Sequence, residues 1–260
     1  MAPITAQLLT EAPMKILGQL HGASNGTFLV ELDGDEDALA VYKPVVGERP
    51  LWDFPEGTLS GREVAVWEVD HALGLNLVPL TVWREEGQLG AGMCQQWIVE
   101  DESQALVDVV PHGESLTGWR TVLRARDEEN AVVELTHSEH DRLRDLALLD
   151  AVVNNADRKA GHIIVDLNGR VFGIDHGIAL HSENKLRTVL WGWAGEALTE
   201  RHLDSLMKLQ DQLIEGVEPI DRWLNSAERR ALRSRVHDLL STRTYPIPSA
   251  QWPSIPWPVF

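Results

Sequence analysis

Asp157, His162 and Asp175 lie at the two ends of what reads as one short β-hairpin. Side chains of these types, so placed, can serve phosphoryl transfer. Residues 163–165 and 171–174 are short apolar runs, and Asn168-Gly169 between them predicts a tight two-residue turn. The segment therefore reads as loop, hairpin, loop, with polar groups delivered at both ends. One carboxylate can address an attacking hydroxyl, while a second carboxylate and a further polar group hold a metal ion on nucleotide phosphates. A pair of turn-forming or capping aspartates is the plainer account of the same residues.

The elements that must position these groups are legible in outline. Residues 27–32 and 38–43 are strand-like runs joined by the acidic turn 33–37, which predicts a hairpin. Small turn residues, Gly22 to Gly26, precede it. Residues 60–73 read as a helix: Ser60 is an N-cap candidate, Glu63 follows at capping-box spacing, and Gly74 is a stop. Residues 78–83 and 88–99 look like two more strands, which makes the front of the chain a small mixed sheet with one helix. Residues 100–136 are patterned loosely and suggest a short helix or two. Residues 138–153 are helical by the recurrence of Leu143, Leu146, Ala147 and Asp150, and further helices fit 199–214 and 226–240. The tail, 245–260, carries five prolines and two tryptophans and reads as an extended segment packed across the body. A boundary near Glu100 gives two lobes, 1–99 and 100–260.

Composition narrows the partners. The formal net charge is −17, which argues against nucleic acid and anionic membrane surfaces, since both select basic faces. No apolar run is long enough for stable membrane insertion. The first residues lack the basic region and apolar core of a signal peptide, and the single cysteine, Cys94, fits a reducing compartment, so a cytoplasmic location is expected. Cys94 itself reads as a small buried hydrophobe. Ten histidines include His137 and His140 at three-residue spacing, but no Cys/His set has zinc spacing.

Taken in order, the chain presents a loop of small residues, the strand lysine Lys43 and the helix glutamate Glu63. A hinge-like strand over 93–98 follows, then Asp157, His162 and Asp175. This order resembles the protein-kinase-like superfamily, in particular its phosphatidylinositol 3/4-kinase-like and bacterial atypical branches, over about residues 15–200. The resemblance implies an α+β, bilobal fold with a β-rich N-lobe bearing one helix and a mainly helical C-lobe. It implies an atypical kinase that takes ATP and a divalent metal ion and phosphorylates a hydroxyl of a protein, a small molecule or a lipid headgroup.

Residue by residue, the resemblance puts Lys43 on the α/β-phosphates, held by Glu63. It puts the backbone of Gly22, Ala23, Ser24, Asn25 and Gly26 around phosphate. Gln96, Trp97 and Ile98 would read the base edge, with Val41 and Ile174 as apolar covers. Asp157-Arg158 matches the start of the D-R-x-x-x-N catalytic loop, which makes Asp157 the residue that orients the acceptor hydroxyl and takes its proton. Asp175-His176-Gly177 matches D-F-G, which makes Asp175 a metal ligand. The chain departs from the pattern at His162, which stands where the asparagine ligand belongs. Imidazole suits Mn²⁺ better than Mg²⁺, so three readings stay open: His162 ligates a softer metal, it only hydrogen-bonds nearby groups, or the site is that of a nucleotide-binding pseudokinase. A metal-dependent phosphohydrolase built from the same Asp and His groups is a further alternative that leaves Lys43 and Glu63 without a role. Lys185 and Arg187 fall at the place of an activation loop and are expected in a solvated segment.

Overall fold

The computed structural model describes residues 4–20, 25–32, 38–54, 58–114, 116–216, 218–250 and 252–260. The acidic turn 33–37 lies outside the described residues, as do Gly22, Ala23 and Ser24.

The chain opens with a short helix, α1 (Ala6–Glu11), capped by the Thr5 hydroxyl. Then come β1 (Met14–Gln19), β2 (Phe28–Leu32) and β3 (Leu39–Pro44). The long helix α2 (Leu59–Leu73) follows, and β4 (Thr81–Arg84) and β5 (Gly92–Gln96) complete an antiparallel five-stranded sheet in the order β1-β2-β3-β5-β4. The expected hairpin of residues 27–43 is β2–β3. Period-2 burial along β3 sends Ala40, Tyr42 and Pro44 inward and leaves Leu39, Val41 and Lys43 on the opposite face. One side of the sheet closes a small core of Leu9, Met14, Val30, Leu32, Tyr42 and Cys94 under α1.

The start of α2 corrects the sequence reading. Thr58, not Ser60, is the N-cap, its Oγ1 accepting from Gly61 N at 2.8 Å. The Glu48 carboxylate takes the N–H groups of Leu59 and Ser60, so the first turn is satisfied from outside the helix. Ser60 is thereby free to donate its hydroxyl to Lys43 O at 2.9 Å. The C-terminus is as expected, with Gly74 at φ +69°.

Residues 100–136 hold strands rather than helices. β6 (Val107–Pro111), β7 (Trp119–Arg126) and β8 (Val132–Ser138) form an antiparallel sheet in the order β6-β8-β7. The physical reason lies in the residues: Val107, Val109, Val110, Thr121, Val122, Val132, Val133 and Thr136 are β-branched, and Gly113, Gly118 and Asn130 supply positive φ at the turns.

Behind this sheet, α3 (Asp141–Val153) buries the expected face, Asp150 included, and ends on Asn154 in the left-handed region. The expected hairpin after Asp157 is β9 (Ile163–Val165) paired with β10 (Val171–Gly173). Its turn is one residue longer than Asn-Gly predicts. Asp166 N donates to Arg170 O and Gly169 N to Asp166 O, and Gly169 alone takes positive φ, so Leu167, Asn168 and Gly169 form a three-residue loop. Gly173 lets β10 lie on α3: a Cβ there would sit 2.7 Å from Leu146 Cδ1.

Helices α4 (Glu200–Glu215), α5 (Glu218–Asp221) and α6 (Ser226–Thr242) complete the helical C-terminal region. They share one core with α3, with the hairpin and with Ala65, Val66, Val69 and Leu73 of α2. The Glu63 helix is thus anchored in the C-terminal core as well as on the sheet. The tail crosses the body as expected: Ser254 O accepts from Thr188 N, Val259 O accepts from Ala160 N, and Ile255 and Val259 pack on the core. No helix among the described residues is long and apolar enough to cross a membrane.

Candidate active site

The site begins with a lysine that sheet periodicity turns into a cleft. Lys43 Nζ lies 2.5 Å from Glu63 Oε1 and 2.7 Å from Asp175 Oδ1. Glu63 is 2% exposed. Its other oxygen, Oε2, accepts from His176 N at 3.2 Å, so one carboxylate fastens both the lysine and the backbone after Asp175. Burial alone would lower the Lys43 pKa, but the charges of Asp175 and Glu63 outweigh it and hold the ammonium protonated well above its usual range. Burial raises the Glu63 pKa against the opposing pull of Lys43. Asp175 goes the other way: the Lys43 charge holds its carboxyl far below the ordinary range, burial opposing and His162 assisting. Asp175 also adopts φ +57°, an unusual conformation for a residue other than glycine.

His162 and Asp157 approach from the hairpin's first end. His162 Nε2 is 3.4 Å from Asp175 Oδ2. Burial lowers its pKa to about 4, with Arg158 and Lys43 adding to the effect and Asp175 opposing it, so the imidazole is neutral near pH 7. Asp157 lines the same recess as Asn25, Gly26, Lys43, Glu63 and Asp175. Burial raises its pKa, while Lys159 and Arg187 pull it back. Lys159 Nζ stands 3.8 Å from Asp157 Oδ2. The enclosed part of this recess is small, about 40 Å³, with the Lys43–Asp175 ion pair reaching across it.

A second ionic cluster lies directly beneath. Arg158 and Asp150 are both fully buried, and Arg158 Nε and Nη2 donate to Asp150 Oδ1 at 3.1 and 3.0 Å. Asn155 Nδ2 and Thr188 Oγ1 also donate to Asp150. Arg158 Nη1 reaches Ile174 O at 2.8 Å and His162 O at 3.2 Å, which fixes the main chain beside Asp175 and at His162. Arg158 Nη2 also meets His176 Nε2 at 2.5 Å. Burial and Arg158 hold His176 neutral, so Nε2 is the acceptor and the proton sits on Nδ1.

The expected nucleotide contacts fare unevenly. Asn25 and Gly26 line the cleft, but Asn25 Oδ1 accepts from Arg49 N, and Gly26 spends its N–H on Gly47 O at 2.8 Å, so that N–H is not open to phosphate. Gln96 N and Trp97 N are committed to Leu80 O and Leu39 O. Gln96 also lines a separate cavity, of about 600 Å³, with Trp67, Leu80, Arg170 and Phe172. Ile98 keeps its N–H clear of backbone carbonyls among the described residues. Val41 and Ile174 are each half-buried, and Ile174 N donates to His162 O at 3.0 Å.

The solvated reading of the segment after Asp175 is corrected at Lys185. Its side chain is buried, with Nζ 2.9 Å from Asp53 Oδ2 and the rings of Trp52, Phe54 and Trp252 around it. Sequence reasoning missed Glu48, Ser60, Lys159, Asp150 and Arg158 as parts of the site. Two of them left a mark: Arg158 stands in the matched Asp-Arg pair, and an aspartate such as Asp150 on the apolar face of a helix demands a buried partner.

A divalent ion fits this donor set in part. Asp175 and His162 offer one oxygen and one nitrogen close together, and a nucleotide-bound ion takes most of its ligands from phosphates and water. Among the described residues no group of three protein ligands converges, and His162 Nδ1 is buried without a hydrogen-bond partner.

No family model matches the chain. It is 44% identical over 264 residues to Protein Rv2133c of Mycobacterium tuberculosis, an alignment covering 97% of this chain and 94% of that protein. The chain belongs to the same family as that protein. Among solved structures, it is similar to the crystal structure of the golgi casein kinase, with a TM-score of 0.54 at 17% identity, covering 90% of this chain and 72% of that one. It also matches the crystal structure of the Helicobacter pylori proinflammatory kinase CtkA with a TM-score of 0.49 at 12% identity, over 91% and 94% of the two chains. The fold is kinase-like, mixed α+β with a β-sheet-rich N-terminal region and a helical C-terminal region.

Proposed function

We propose that this chain, like the fold it shares, works as an atypical kinase that transfers the γ-phosphate of ATP to a hydroxyl. One observation carries the reading: Lys43 bridges Glu63 and Asp175, and Asp157 lines the same cleft. Lys43 stays protonated and can exchange the Asp175 oxygen for a phosphate oxygen while Glu63 keeps it in place. The acceptor oxygen attacks the γ-phosphorus, the bond to the ADP oxygen breaks, and the hydroxyl proton passes to Asp157. Burial raises the affinity of Asp157 for that proton, which suits a general base. Lys159, beside Asp157, is placed to offset charge on the moving phosphoryl group. Asp175 and His162 would hold the divalent ion, whose part when bound is to neutralise charge on the β- and γ-phosphates. Ile98 N–H is the base-edge donor in this reading, in a cleft between lobes divided near residues 99–100.

The acceptor is a protein side chain or a small soluble alcohol in preference to a lipid headgroup, because a net charge of −17 opposes approach to an anionic bilayer. The phosphatidylinositol-kinase-like pattern contributes Asp157-Arg158 and stops at His162. That histidine, with its unpartnered Nδ1, favours a second reading, a module that binds nucleotide without transfer. Incubation with γ-labelled ATP and Mn²⁺ or Mg²⁺ separates the two. Label moving to the chain, an added acceptor or water, and lost in Asp157→Ala, supports the kinase. Bound nucleotide that never turns over assigns the module, and absence of nucleotide binding removes both.

A further inference from the structure

A cavity of about 540 Å³ lies away from the cleft, between α6, the segment after Asp175 and the tail, and falls within the range of small-ligand sites. Its walls are largely apolar, formed by Leu186, Trp191, Leu239, Tyr245 and Ile247. Arg235 of α6 joins them. Its Nε donates to Val152 O at 2.8 Å and its Nη1 to His181 O at 3.1 Å, and both partners are uncharged carbonyls. Nη2 is buried and has no hydrogen-bond partner among the described residues. No carboxylate of the described residues forms an ion pair with this guanidinium. Burial draws its pKa down to about 10, with Glu228 opposing only from a distance. Arg235 is half-buried, so its charge is partly withdrawn from water without a counter-ion, and an anion in the cavity would be bound the better for it.

We propose that this cavity binds a small amphipathic carboxylate, its apolar body against Leu186, Trp191 and Ile247 and its single negative charge on Arg235. One guanidinium with two nitrogens already engaged suits a monoanion. The exposed Asp238, which also lines the cavity, disfavours a second negative charge. The proposal is independent of the kinase reading, since neither ATP nor the Lys43 cluster takes part.

Calorimetric titration of the nucleotide-free chain with octanoate, octan-1-ol and octyl phosphate tests it. Octanoate is expected to bind at least about ten-fold more tightly than octanol, the worth of one charge-assisted contact. R235M should bring the two ligands to equal affinity. S234W, at an exposed position of α6 that lines the cavity, should fill the cavity and abolish binding of both, so the proposal stays testable even where R235M fails to fold. Equal affinity of the native chain for octanoate and octanol, or no binding of either, overturns the proposal. Tighter binding of octyl phosphate than of octanoate overturns the carboxylate assignment.

Discussion

Two ionic clusters meet at the β9–β10 hairpin and differ in what surrounds them. In the upper one, Lys43, Glu63 and Asp175 meet at the cleft, where half of the Asp175 side chain faces solvent. In the lower one, Asp150 and Arg158 are sealed from water, and nearly every donor of the arginine has an assigned acceptor. An exposed carboxylate can trade its partner for a ligand at little cost, whereas a sealed pair cannot lose a member without stranding a buried charge. The contrast separates a part that changes partners from a part that holds it in register. Glu63 and Arg158 stitch the two together, one through His176 N and the other through Ile174 O.

The contrast breaks most readily at its extremes. Asp157→Ala should lower phosphoryl transfer by about 10²–10⁴-fold and leave the urea midpoint almost unchanged. A large midpoint shift there would mean that Asp157 is structural instead. Asp150→Ala should do the reverse, costing about 3–5 kcal/mol in urea unfolding because Arg158 loses its one buried carboxylate partner among the described residues.

Acid sharpens the same distinction. His162 and His137 titrate near pH 4 in the folded chain and near 6.5 when unfolded, so between those values only the unfolded state takes up the protons. Stability is therefore full above about pH 6.5 and should fall by up to about 3 kcal/mol per histidine on the way to pH 4, readable as a declining thermal midpoint. Asp175 contributes in the other region: its depressed pKa gives stability that is present above the usual carboxylate range and is lost only in stronger acid. The smallest effect concerns the metal. His162→Asn should shift the ratio of Mn²⁺- to Mg²⁺-supported nucleotide affinity toward Mg²⁺ by about ten-fold, and an unchanged calorimetric ratio would place the imidazole outside the ion's ligand set.

The upper cluster was readable from residue order because each member ends or begins an element with a strong local pattern. Lys43 closes a strand of alternating burial, Glu63 sits in the first turns of a helix, and Asp175 follows a β-strand. The lower cluster was readable only in part: Arg158 stands in the matched Asp-Arg pair and Asp150 on the apolar face of a helix, but their pairing is set by tertiary packing. The strands over 107–138 were missed because their alternation is broken by charged residues such as Arg120, Arg124 and Glu134, whose partners lie across the sheet or beyond it. The cap of α2 went to Thr58 over Ser60 because Glu48, ten residues before Thr58, satisfies the first turn. Nothing local announces such a contact. The lengthened turn at 167–169 has the same origin: the Asp166 side chain takes the N–H groups of Asn168 and Arg170.

The hydrogen bond from Ala160 to Val259 gives the tail a practical use. A dye or spin label at Phe260, which is exposed, would sit one peptide away from a bond that holds the loop carrying Asp157. Such a probe would watch that loop from outside, with no reagent entering the cleft. For the same reason a bulky fusion joined there would tug on the chemistry it was meant to leave alone.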